Sequence, residues 1–545
     1  MLSRTYLHYL GLVGAIVLGG IFRFFNLDLK PLWLDEVITA IFSLGKTYNE
    51  LPLDTVFPLG QLAQIFTLVP GVSCPQIAAH VAQDSTHPPL FFCWMYSWLS
   101  MLAPLGAGWV GKLRLLPALF GVVAIAVIYV VNASAFSRSA GLWAAVVMAI
   151  SPFAVYLSQE ARHYTLPMLA LALALSALLQ IQRDIYSQRV RFWVWGGWAI
   201  INSLSLYIHY FCILAFIAQI GTLLILMLLR VSSRRQWIAF ILAISGVLLS
   251  FLPWMLVLWG HSQRSETSWL EPANFFAPLY QTLINWVLMV IALPVENQPL
   301  SITAICGLLM VVSSIWVSWQ VYRGFKLLWQ EPATHFATLT LSIFTLFVLA
   351  EFFAIAYFLH KDITSVPRYS FVYYPSFCAL IGASLSRIHF KKPSATIIFL
   401  LIGILSCICT VSNLAFQKPF QPEQVAHNMN QEPSVPLMLV VGYRDYQDVA
   451  LGLSFALALE KLRSHNQTPA NLAFFKQSPD FTSVWQKLLS THVSALNLWV
   501  VGPGIRRRDY PQQVMMGQKK CLIDPSQHYR IGVPYQLYRC HHSQV

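Results

Sequence analysis

The sequence predicts an α-helical polytopic membrane protein, with about eleven transmembrane helices plus juxtamembrane helices, followed by a soluble α/β domain. Three observations predict it. Of 545 residues, 57% are hydrophobic and only 10% charged, against about 25% charged in an ordinary soluble chain. Apolar runs of roughly 20 residues, the length that crosses a bilayer, recur from near Leu7 to about Ser412. Beyond residue 420 they give way to short strand-like and helix-like stretches in alternation. The apolar runs are continuous rather than alternating, which excludes a membrane β-barrel.

The formal net charge is +13, from 35 Lys and Arg against 22 Asp and Glu. The basic residues fall in short clusters between apolar spans, the positive-inside pattern, so nucleic acid is excluded as a partner and the bilayer is the expected one. The clusters are Arg138; Arg183, Arg189 and Arg191; Arg230, Arg234 and Arg235; Arg323 and Lys326; and Arg387, Lys391 and Lys392. An even number of spans must separate successive cytoplasmic points. Stretches 139–182, 192–229 and 331–386 therefore split in two, at SQEARHY (158–164), near Tyr207–Tyr210 and at HKDITSVPRYS (360–370). Before Arg138 there are three runs, and three more in 236–322. Parity makes the middle ones, 88–104 and 276–293, surface-lying on the outer side. The first span, near Leu7, has no small-residue cleavage site after it and reads as a retained anchor. The path puts the N-terminus inside and everything after about Ser412 outside, in a plasma (inner) membrane. The expected domains are 1–415, embedded in the membrane, and 420–545, extracytoplasmic.

The outer loop 28–113 carries Asp28, Asp35, Glu36, Glu50, Asp54 and Asp84 against Lys30, Lys46 and Lys112. Its wealth of Trp, Pro and apolar residues suits a packed functional loop better than a linker. In the tail, 435–442, 471–475 and 497–504 read as buried strands, 446–463 and 481–491 as helices between them, and 529–540 as a terminal hairpin. No glycine-rich phosphate loop follows a strand. NQT at 466–468 is a formal glycosylation sequon. Among nine cysteines no metal-site spacing occurs. Cys93, Cys212, Cys306, Cys378, Cys407 and Cys409 lie in apolar runs and read as small core residues. Cys521 and Cys540 can pair if the tail is outside the cell.

Few residues could carry chemistry. Asp35-Glu36 in PLWLDE (31–36) is an acidic pair at a membrane edge. An acidic first helical turn facing the helix dipole explains it structurally; a general base explains it chemically. His87 in THPPL (86–90) suits capping or packing, a metal, or substrate contact. Arg114, Arg162 and Arg368 sit on the outer face against the positive-inside trend. Each suits an interfacial anchor, and together they suit a phosphate clamp, since the guanidinium fork matches phosphate. Tyr164, His209 and Tyr210 read first as membrane-belt residues and second as pocket residues.

PLWLDE, STHPPLFF, LRLLPALFG and SQEARHYTL, in this order, resemble the GT-C membrane glycosyltransferases, nearest the protein O-mannosyltransferase and aminoarabinose transferase group. The resemblance covers about residues 1–230 and, more loosely, the chain to about 390, where VPRYSFVYYP is similar to a late family segment. It implies transfer of a sugar from a polyprenyl-phosphate carrier to an acceptor hydroxyl on a protein, lipid or glycan at the outer face. By the same resemblance Asp35 matches the acidic catalytic residue, Glu36 its neighbour, and Arg114 and Arg162 positions serving the active-site loop or lipid phosphate. Some relatives bind a divalent metal near the acidic pair; here no ligand set is evident, and the metal stays open. The insertion 47–85 and the tail depart from the pattern and leave the acceptor open. The competing class is a transporter or flippase of lipid-linked sugars, which would want polar groups deep in the spans. Glu351, read as early in its span, is the clearest of the few.

Overall fold

A backbone in hydrocarbon must satisfy its own hydrogen bonds, so the apolar runs fold as helices. The computed structural model describes residues 4–106, 108–264, 270, 274–388, 393–463 and 468–542. Lys391, Lys392 and most of the 466–468 sequon lie outside the described residues. The chain divides into two units: Met1–Leu27, Ser85–Phe91 and Leu113–Phe416 form one, and Asp28–Asp84, Phe92–Lys112 and Gln417–Val545 the other.

Seven helices among the described residues are long and apolar enough to cross a membrane: Thr5–Phe24, Trp109–Ala135, Thr165–Tyr186, Cys212–Leu229, Arg234–Ser262, Leu300–Gln330 and Pro332–Phe358. Arg138–Ala149 and Pro152–Ser158 make an eighth if the pair, bent by 60°, is one span. Pro152 lacks the N–H that would continue the helix, which places the bend. Phe192–Ile208, Tyr374–Ser386 and Ala395–Val411 are helical but shorter. The expected eleven is reached only by adding the bent pair and these three to the seven. The middle runs are helices of 12 residues, Leu90–Met101, and 14 residues, Ala277–Val290. At about 1.5 Å per residue neither covers the ~30 Å of a hydrocarbon core. α-Helices end at Ser158, Ile208 and Phe358 and the next ones start at Thr165, Cys212 and Tyr374, so a break occurs at each of the three expected points. Glu351 differs from expectation: Pro332 starts its helix well before it, so it lies in the last third of Pro332–Phe358.

The second unit contains a seven-stranded sheet of β1 (Val56–Pro58), β2 (Leu437–Tyr443), β3 (Ala470–Lys476), β4 (Asn497–Val501), β5 (Gln513–Met516), β6 (Lys519–Ile531) and β7 (Val533–His542), in the order β1-β3-β2-β4-β7-β6-β5. β2 runs parallel to β3 and β4, with helices Tyr446–Arg463 and Thr482–Leu489 in the connections. Every residue of β2 and β4 is buried, as strands covered on both faces require. The strand and helix positions expected in the tail hold. β6 and β7 form the expected hairpin, turning at Gly532 with φ +74°, where a Cβ would strike the Phe420 ring. β1 comes from the loop ahead of the tail and pairs antiparallel with β3; Lys487 bridges to Asp54 beside it. Two disulfides lie in this unit, Cys74–Cys93 and Cys521–Cys540. Cys93 is therefore not a plain core residue. Its apolar helix begins at Leu90, and its first turn comes within 5.2 Å, Cα to Cα, of Cys74 at the start of helix Cys74–Asp84.

Candidate active site

The acidic pair lies in the second unit. Trp33, extended at φ −105° and ψ 172°, is the N-cap of helix Leu34–Ser43. Asp35 and Glu36 occupy its first turn, where the helix dipole favours negative charge. Asp35 is half-buried and Glu36 fully buried. Lys418 Nζ lies 3.3 Å from Glu36 Oε2, with both side chains almost completely out of solvent, and 5.9 Å from the centre of the Trp33 ring. Ser454, on helix Tyr446–Arg463, donates to the carbonyl of Leu32 at 2.9 Å. Two tail residues thus hold the start of the acidic helix.

A hard divalent cation needs several oxygen ligands around it. Here an ammonium already flanks the Glu36 carboxylate, and no group of three or more His, Cys, Asp or Glu side chains gathers among the described residues. The acidic pair does not fit a metal cage.

The arginines and histidines lie in the first unit. Helix Pro152–Ser158 ends at Gln159, whose Nε2 donates to the carbonyls of Phe22 and Phe25. Helix Thr165–Tyr186 starts six residues later, with Thr165 Oγ1 donating to the Pro117 carbonyl. The tight link turns Arg162, His163 and Tyr164 inward, each at most 2% exposed. Arg162 Nη2 donates to His87 Nε2 at 2.9 Å. A guanidinium only donates, so His87 carries its proton on Nδ1 and faces Ser85 Oγ at 3.2 Å. The His163 ring sits 5.0 Å from that of His87 and 4.5 Å from that of His209, centre to centre. Neither of its ring nitrogens has a hydrogen-bond partner among the described residues. Arg368 Nε donates to Tyr164 Oη at 3.0 Å, and His209 Nδ1 accepts from the Phe211 N–H at 3.0 Å.

Burial, and then the Arg162 charge, hold His209 down to about 3. Burial and Arg162 take His87 well below its ordinary value; burial, His209 and Arg162 do the same for His163. The three imidazoles are neutral at pH 7 while the guanidiniums keep their charge. The cluster carries two guanidiniums and is rich in N–H donors, features suited to an anion.

Of the residues singled out in the sequence, His87, Arg162, Tyr164, His209 and Arg368 come together here. Tyr164 and His209 are buried, which removes the belt reading for both. Tyr210 instead accepts from Trp254 Nε1 and pairs with His261 Nδ1, each at 2.9 Å. Arg114 is fully buried and donates from Nη1 to the Leu27 carbonyl at 2.6 Å, so it is no exposed interfacial anchor. Asp35 and Glu36 belong to the other unit. Sequence reasoning missed His163 and Lys418. His163 stood between two residues already singled out; Lys418, in QKPFQP, carried no local signal.

Two structures of ArnT from Cupriavidus metallidurans, an aminoarabinose transferase, share this architecture. The one bound to undecaprenyl phosphate has a TM-score of 0.50 at 12% identity, over 98% of this chain and 98% of that one. The apo one has a TM-score of 0.51 at 12% identity, over 97% of each. The Archaeoglobus fulgidus oligosaccharyltransferase in the apo form has a TM-score of 0.47 at 13% identity, over 83% of this chain and 64% of that one, too low to argue from. Both proteins are GT-C glycosyltransferases. No family model and no curated protein sequence matches the chain. At such identities the likeness speaks to the fold alone, and that fold is the one ArnT has.

Proposed function

We propose that this chain is an inverting glycosyltransferase that moves a sugar from a polyprenyl-phosphate carrier to an acceptor hydroxyl on the outer face of the membrane. The observation that carries the reading is the buried Arg162 and the half-buried Arg368 beside three neutral histidines. It supplies charge and donors for a phosphate that arrives on a lipid. The likeness to a structure bound to undecaprenyl phosphate supports it. Within the GT-C enzymes our reading is nearest the protein O-mannosyltransferase and aminoarabinose transferase group. The acceptor is a protein, lipid or glycan.

The chemistry is one displacement. The acceptor oxygen bonds to the anomeric carbon as the bond from that carbon to the phosphate oxygen breaks. Asp35 takes the acceptor proton. The leaving group departs as polyprenyl phosphate, already a stable anion, so it needs no general acid. Arg162 and Arg368 stabilise its growing charge, with His87, His209 and Tyr164 as neutral polar partners and Arg114 as a further cation. Glu36 supports Asp35.

The proposed path has eleven crossings, the N-terminus in the cytoplasm, residues 1–415 embedded and 420–545 outside. Both disulfides support it, because they lie in the unit made of Asp28–Asp84, Phe92–Lys112 and the tail, and disulfides persist in oxidising compartments.

Replacing Asp35 with Asn and assaying transfer from a polyprenyl-phosphate sugar tests the reading. A well-folded D35N protein with full activity would overturn it. One observation favours a flippase: Glu351 lies within a span and has no hydrogen-bond partner for either carboxylate oxygen among the described residues. Movement of a labelled lipid-linked sugar across proteoliposomes by D35N, with no transfer by wild type, would select it.

A further inference from the structure

A charge pair almost wholly out of solvent in the second unit is Glu36 with Lys418. Lys418 lies just ahead of helix Pro422–Met429, hundreds of residues after the acidic helix. Taking a lysine and a glutamate out of water is unfavourable unless each keeps the other, and removing one leaves a stranded charge. The ammonium is held from two sides, by Glu36 Oε2 at 3.3 Å and by the face of Trp33, centre 5.9 Å away. Trp33 is itself the N-cap of the helix. One cation therefore touches both the residue that starts the helix and the second member of the acidic pair. Ser454 adds a hydrogen bond to Leu32, one residue earlier.

We propose that Lys418 is a positioning residue for Asp35, its ammonium already filling the cation place beside the Glu36 carboxylate, so that transfer by this chain is independent of metal. The inference rests on the glycosyltransferase reading above. Successive residues of a helix point about 100° apart. Glu36 turns into the buried pair with Lys418, and half-buried Asp35 is presented on another side of the same rigid turn. The two carboxylates are thereby given different tasks. Glu36 fixes the helix terminus, and Asp35 meets the acceptor. A flexible lysine on one flank of a catalytic turn would be a poor anchor; this one is immobilised by burial, a ring face and a carboxylate.

The test uses the purified full-length protein as wild type, K418M, K418R, E36Q and the double variant E36Q/K418M. The readouts are thermal midpoint, kcat and KM for transfer from a polyprenyl-phosphate sugar, and rates with and without EDTA. Wild type should keep its rate in EDTA. K418M should lose about 100-fold in kcat with KM changed by less than about threefold, the size of effect a small misplacement of a reacting group has. K418R should regain part of kcat. The double variant, with no stranded charge, should regain the thermal midpoint but not kcat, which keeps the test decisive even if K418M fails to fold. A double variant with wild-type kcat, or a wild type inactivated by EDTA and restored by a divalent cation, would overturn the proposal. A wild type that transfers no sugar would instead overturn the glycosyltransferase reading on which it rests.

Discussion

Arg23 Nη2 donates to the carbonyl of Met148 at 2.9 Å, the acceptor that Pro152, four residues on, leaves without its helical donor. Arg23 Nη1 also donates to the carbonyls of Ala149 and Gly19. A fully buried cation in the first span thus satisfies the backbone opened where Arg138–Ala149 and Pro152–Ser158 bend by 60°. Replacing Arg23 with Met strands the carbonyls of Met148 and Ala149, each worth about 1–3 kcal/mol when buried without a donor. The thermal midpoint of the detergent-solubilised R23M protein should fall by several degrees. An unchanged midpoint would show that the bend does not depend on this cation.

Arg162 and Arg368 have unequal surroundings. Arg162 bridges to His87, whereas Arg368 is fixed through the Tyr164 hydroxyl. If Arg162 meets the phosphate as charge develops, R162M should lose about 10²–10³ in kcat, the usual effect of deleting an oxyanion donor. R162K should recover little, because an ammonium cannot reproduce the planar fork. Initial rates at saturating donor check this, and a fully active R162K would reduce the role to simple charge.

The Cys74–Cys93 bond closes a loop between the loop region and the helix that begins at Leu90. Peptide mass mapping without reduction should recover the 74–93 and 521–540 pairs from protein purified out of membranes. Replacing both Cys74 and Cys93 with Ser should cost about 3 kcal/mol, mostly by freeing the unfolded chain. Recovery of all four thiols in reduced form would argue that this unit faces the cytoplasm.

Periodic and compositional features were legible in the sequence. Runs such as VPLMLVVG announce a strand buried on both faces, and β2 forms there. The breaks at SQEARHY and at 360–370 were visible because polar residues interrupt apolar runs. Features set by distant partners were not. Val56–Pro58 is three residues long and ends in Pro, too short to read locally as a strand, and it pairs with β3 from far along the chain. Cys93 looked like core because its neighbours Phe91, Phe92 and Trp94 are apolar; Cys74 supplies the missing half. Three of the proposed phosphate-site residues, Arg162, His87 and Arg368, stood out as polar groups at span ends. His163 needed its burial between two other rings to be noticed, and Lys418 needed the ion pair with Glu36.

The histidine cluster predicts how the protein responds to acid. His209 titrates near 3 in the folded protein because burial and Arg162 oppose its charge, against about 6.5 when unfolded. Above pH 6.5 neither state binds this proton, and its contribution to stability is fully present. Below 6.5 the unfolded histidine takes up a proton that the folded one refuses. Stability then falls by about 1.4 kcal/mol per pH unit for each such group, until the pH reaches the folded value. His87 and His163 are shifted in the same direction by burial and the same arginine, so the loss should steepen with all three. The thermal midpoint should be flat near pH 7–8 and drop between pH 6.5 and 5. Replacing His209 with Gln removes one titrating group and should make that drop shallower. An H209Q slope equal to wild type would mean that His209 is protonated in the folded state, and a cationic imidazole would then join the two arginines at the anion site.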